Sequence, residues 1–226
     1  MLSSMHERVR YVDGSHKTVF RGVLHGLVSA WGLLWVAWAM TVGGESRQAI
    51  TVFHAMKLSS HAVSALLHLA PFASVWQMRM VARLDALLIH LSIIGSSAVS
   101  SEATRRAAIV PARAHGAVVA LSCGFTTLRC HRTRVGLCIV HSTLSIAEIG
   151  MLCGCTRRLL AAGACYLLGA ACYVASLTPA EAARHRGRTR YWGYHEDFHA
   201  FIFAGDVLSF YLLTACTDAT PASITY

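Results

Sequence analysis

Seven apolar stretches, each about as long as a membrane-crossing helix, restrict the fold of this 226-residue chain more than any other feature. They cover approximately 23–42, 50–72, 84–100, 107–128, 135–155, 159–177 and 198–217. A helix needs ~20 residues to cross ~30 Å of hydrocarbon, and backbone groups in lipid must bond within their own segment. Each stretch is therefore expected as a helix. Composition agrees, since 55% of the residues are hydrophobic and 14% charged, against roughly 45–50% and 25% in soluble domains. Disorder is excluded by the same abundance of apolar surface. The expectation is an all-α membrane protein with a seven-transmembrane-helix bundle at 23–217. A cytoplasmic segment at 1–22 would precede it and a short tail at 218–226 would follow.

Charge sets the orientation. With the N-terminus cytoplasmic, the inner segments hold 13 Lys and Arg residues and the outer loops five. Positive residues gather in cytoplasmic loops, so the C-terminus is expected on the opposite side. The net charge of +9 is then a cytoplasmic bias beside anionic lipid, and no nucleic-acid partner is expected. Residues 1–22 are polar and basic, which does not suit a cleavable signal peptide, and Glu7 and Asp13 interrupt any transit-peptide pattern. A multi-pass protein of the plasma membrane or an organelle membrane is expected. The eight cysteines fall mostly within apolar runs, where cysteine behaves as a small hydrophobe, and they suggest no disulfide framework.

A few polar groups stand out against this background. Ser64 and His68 lie one turn apart near the inner end of the second stretch, and Asp85 opens the third. His195 and His199 open the seventh, again one turn apart. Alternating helix direction brings all five to one membrane face. Ionisable groups within spans are costly and usually face a functional interior. Three neutral imidazoles with one open position suit catalytic zinc, and a neighbouring aspartate could hold or deprotonate a water there. A plainer alternative stays open on the residues alone. With 13 histidines in the chain, one His-x-x-x-His pair is close to chance, and a single His68 could simply be a hydrogen-bonded interior group. His25, His54, His61, His90 and His115 are expected to face the interior or to snorkel, and Glu148 to make an interior contact with His141.

The segments Ser64-Ala-Leu-Leu-His68, Arg83-Leu-Asp85, Ile94-Gly95-Ser96, Tyr166-Leu-Leu-Gly169-Ala-Ala-Cys-Tyr173 and Gly193-Tyr-His195-Glu-Asp-Phe-His199 together resemble the progestin and adipoQ receptor / haemolysin III family. The resemblance covers most of the chain from Gly22 to Leu213. It implies His68, His195 and His199 as zinc ligands, Asp85 as the group holding the water, and Ser64 as a hydrogen-bonding group of the site. Two positions depart from the family's first-helix motif of Glu and Asn before a His. Counting back from His25, they hold Thr18 and Arg21.

The expected function is a zinc-dependent, ceramidase-like hydrolase of a lipid amide or ester. Asp85 would act as general base and Ser64 would steady the oxyanion. The lipid bilayer and a lipid or steroid ligand would be its partners. A non-catalytic lipid or steroid receptor is the alternative. A pore is disfavoured, because the polar set clusters at one face instead of lining a full path. His195-Glu-Asp-Phe-His199 also matches the H-E-x-x-H metalloprotease pattern, with Glu196 as base. Asp206, the nearest downstream acid, would lie about 10 Å along the helix from the pair, too far for a third ligand.

Overall fold

The computed structural model describes residues 12, 18, 20–41, 47–104, 116–120, 131–153, 156–176 and 192–218. Six helices are bounded: α1 (Val23–Thr41), α2 (Arg47–Leu69), α3 (Val75–Thr104), α4 (His131–Cys153), α5 (Thr156–Ser176) and α6 (Tyr194–Asp218). Residues 116–120 are helical too. They belong to the fourth apolar stretch, the rest of which lies outside the described residues, as do the run 184–190 and His115. No strand occurs among the described residues, and the all-α expectation is borne out.

Local chemistry sets the helix starts. At α3 the Ser74 hydroxyl accepts the Gln77 N–H at 3.2 Å, and the Gln77 side chain reaches back to the Ala73 N–H at 3.1 Å. This reciprocal arrangement satisfies donors that a first turn leaves unpaired. At α6 Gly193 donates its N–H to Glu196 Oε2 at 2.7 Å. Before α1 the chain makes a tight turn closed by Arg21 N to Thr18 O at 3.2 Å and Val23 N to Phe20 O at 3.0 Å. Gly22 ends that turn at φ 89°, a left-handed conformation that side chains other than glycine's resist. A Cβ there would also fall 2.7 Å from the His68 Cβ.

The most extensive packing joins α5 to α6, with α1 on α2 and α2 on α3 following. The last helix, α6, touches α1, α3 and α4 as well as α5, which makes it the central element. The polarity of the bundle is inverted relative to a soluble protein. Buried residues include His25, His61, Ser64, His68, His141, Glu148, Glu196 and His199, whereas Leu27, Leu34, Trp76, Leu160 and Leu167 are exposed. Water would penalise that arrangement, and lipid would not.

Among the described residues, two helices are long and apolar enough to cross a membrane on composition alone, Val23–Thr41 and Arg157–Ala175, and only 11% of either window is buried. The expected uniformity of the seven stretches does not hold at this level. Helix α2 carries Lys57 and three interior histidines, α3 carries Arg79, Arg83 and Asp85, and α6 carries Glu196, Asp197 and Asp206. These groups lower the mean hydropathy of helices whose interior faces are polar.

Candidate metal centre

Three imidazoles from three helices converge inside the bundle. His25 lies on α1, His68 on the last turn of α2 and His199 on the second turn of α6. One nitrogen of each lies within 4.8 Å of those of the other two, and all three residues are buried. His195 joins them, its ring centroid 4.4 Å from that of His199 and 5.2 Å from that of His68. Of the expected trio, His68 and His199 belong to the converging group and His195 lies beside it, while His25 supplies the third nitrogen. His25 was expected only as an interior or snorkelling group. Its signal was weak because a single histidine in an apolar helix does not reveal which way it faces.

The nitrogens invite a cation. Nε2 of His25, His195 and His199 is in each case buried without a hydrogen-bond partner among the described residues. Buried polar atoms are nearly always paired, so the unpartnered Nε2 atoms of His25 and His199, two members of the converging trio, need an explanation, and a metal ion supplies one.

A hydrogen-bonded chain fixes the tautomer of His25. Lys57 Nζ donates to Asp206 Oδ1 at 2.6 Å, and the Tyr166 hydroxyl donates to the same oxygen at 2.7 Å. Ion-paired in this way, Asp206 can only accept. The His61 Nε2, 3.0 Å from Asp206 Oδ2, must therefore carry the proton. In neutral His61 the Nδ1 then accepts from His25 Nδ1, 3.1 Å away. That leaves the His25 Nε2 lone pair facing the other histidines. Carboxylates commonly orient metal-binding histidines through such bonds, and here the orientation passes through two rings.

Asp85 is half-buried on α3, with the buried Ser64 of α2 beside it. His61 lies close to this pair. Glu196 takes no part in the imidazole cluster. Its Oε1 accepts from Thr18 Oγ1 and from Arg21 Nε at 3.2 Å, and its Oε2 accepts from the Gly193 N–H. Both oxygens are engaged by groups other than the histidines, which disfavours Glu196 as a metalloprotease base. Asp206 is likewise held by Lys57, His61 and Tyr166. His141 and Glu148 are both fully buried, and His141 Nδ1 faces His90 Nδ1 at 3.0 Å between α4 and α3.

An all-helical bundle with apolar residues outside and buried histidines inside suits a membrane protein with a polar interior. The haemolysin-III related family model matches residues 14–210, and the chain belongs to that family. No curated protein and no solved structure matches the chain.

Proposed function

We propose that this is a seven-span membrane protein that holds zinc at His25, His68, His195 and His199 and hydrolyses a lipid amide or ester. The observation that carries it is the convergence of His25, His68 and His199, one nitrogen of each within 4.8 Å of the others, with the Nε2 atoms of His25 and His199 buried and unpartnered among the described residues. Three of the four imidazoles would bind at once, His25, His68 and His199 in the geometry seen, which leaves a fourth position for water. Bound there, zinc would polarise a carbonyl and make water a competent nucleophile near neutral pH.

The chain's own groups would do the rest. Asp85 would take the proton of the attacking water and pass it to the departing amine or alkoxide. Ser64, with its proton directed at Asp85, would hold that carboxylate in position. The oxyanion role expected from the sequence requires the hydroxyl to turn away from Asp85. His61 and Asp206 would keep His25 in the tautomer that presents Nε2.

Metal analysis of the purified protein tests this directly. One zinc per chain is expected, falling sharply in His68→Ala and His199→Ala. Asp85→Asn should keep the metal and abolish turnover of a lipid amide. Unchanged zinc in both histidine variants would show that the site is wrongly assigned.

A cavity favours a second reading, a lipid or steroid receptor. It is a half-open cleft between α1, α2 and α6, walled by Trp31, Trp35, Phe53, Phe203 and Phe210, with Lys57, His61 and Asp206 also lining it. Aromatic walls and a few polar groups are what small-molecule sites present. Lipid binding retained in Asp85→Asn, with no turnover by the unaltered protein, would favour the receptor.

A further inference from the structure

We propose that the turn containing Thr18, Phe20, Arg21 and Gly22 is a brace for the histidine centre, with Arg21 its positioning residue; this rests on the metal reading above. The turn touches every helix that supplies an imidazole. It runs directly into α1, and Arg21 lies one helical turn before His25. Gly22 abuts α2 so closely that a Cβ would fall 2.7 Å from the His68 Cβ and 2.9 Å from Leu69 Cγ. Thr18 and Arg21 bind Glu196 on the first turn of α6.

Glu196 is placed to transmit the restraint. It follows His195 directly and precedes His199 by three residues, so the turn that carries it carries both imidazoles. Its exposure is only 1% and that of Arg21 18%. A carboxylate so buried holds its cation firmly, because breaking the pair strands a charge. The same carboxylate caps α6 through the Gly193 N–H at 2.7 Å. One side chain therefore fixes both where α6 begins and how far it stands from α1.

The pair also cancels its own charge. An uncompensated Arg21 would oppose a divalent cation, whereas an uncompensated Glu196 would attract one. A purely electrostatic role and a positioning role therefore predict opposite signs for one of two variants. Electrostatics alone makes Arg21→Ala bind metal more tightly and Glu196→Gln less tightly. The brace makes both weaker, because either change frees the first turn of α6.

The test is a double-variant cycle on zinc affinity in the full-length detergent-solubilised protein, with cobalt absorption as a reporter of ligand geometry. Arg21→Ala and Glu196→Gln should each weaken zinc about 10–100-fold, the usual effect of losing a group that orients ligands. The double variant should be no weaker than the worse single. Each single should shift the cobalt ligand-field bands, which a general loss of stability would not do. Arg21→Lys should recover most of the affinity, since one nitrogen makes the contact. Tighter binding in Arg21→Ala, or losses that simply add, would overturn the brace while leaving the histidine centre intact. Zinc absent from the unaltered protein would overturn the metal reading and the brace with it.

Discussion

Asp206 shows how one buried carboxylate can serve stability and site chemistry by separable routes. It pairs Lys57 at 2.6 Å and orients His61 at 3.0 Å. Asp206→Leu leaves the Lys57 ammonium unpaired, with only 17% of that side chain exposed. The expected loss is about 3–5 kcal/mol, the usual result of stranding one member of a buried pair. Adding Lys57→Met removes the stranded charge and should restore most of the thermal stability. It should not restore zinc affinity, because His61 still lacks the acceptor that sets its tautomer and, through it, that of His25. Thermal unfolding and metal titration on the same two proteins separate the effects. If affinity recovers together with stability, the hydrogen-bonded chain does not orient His25. Little of this was legible in the sequence. His68, His195 and His199 were reached through local spacing and the resemblance. The pairs Lys57–Asp206 and Arg21–Glu196 are 149 and 175 residues apart, and nothing local links their members. Glu196 even misled, because its place between two histidines matches a protease pattern while its side chain leans towards the turn before α1.

At the scale of elements, helix existence was legible and helix rotation was not. Runs of apolar residues locate a helix in lipid, but when the outward face is apolar and the inward face mixed, periodicity says little about facing. This is why His25 was placed among the interior histidines and not at the centre. Packing supplies what the pattern lacks. The α5–α6 interface is the most extensive in the bundle, and reciprocal glycines allow it. A Cβ on Gly205 of α6 would meet the Tyr166 ring at 2.9 Å, and one on Gly169 of α5 would meet Phe198 O and Phe201 Cβ at 3.3 Å. Gly163, also on α5, would meet only Ile146 at an ordinary 3.7 Å. Gly205→Ala should therefore cost about 1–3 kcal/mol through overpacking. It should also disturb the Tyr166 bond to Asp206. Gly163→Ala should stay within about 0.5 kcal/mol. Equal melting temperatures for the two variants would contradict the close approach of α5 and α6.

For the whole molecule, polarity and charge answer different questions. The inverted distribution, with histidines and Glu196 inside and leucines and tryptophans outside, suits lipid as the surrounding medium. It carries no sense of direction, since a bundle turned over in the bilayer would bury the same groups. On the proposed seven-span topology, direction depends on the basic residues in the loops, 13 against five. The two combine to locate the proposed chemistry. His68 ends α2, the Asp85 that faces Ser64 lies early on α3, and His195 and His199 open α6, so the centre lies towards the face that carries the N-terminal segment. With that segment cytoplasmic, the site would take substrate from the cytoplasmic leaflet. A protease-sensitive tag fused at the N-terminus should be protected in sealed, right-side-out vesicles, and one at the C-terminus should be cleaved. A lipid amide supplied only to the outer leaflet should then be hydrolysed no faster than it crosses the bilayer. Cleavage of the N-terminal tag instead would invert the orientation and place the centre at the opposite leaflet, leaving its ligands unchanged.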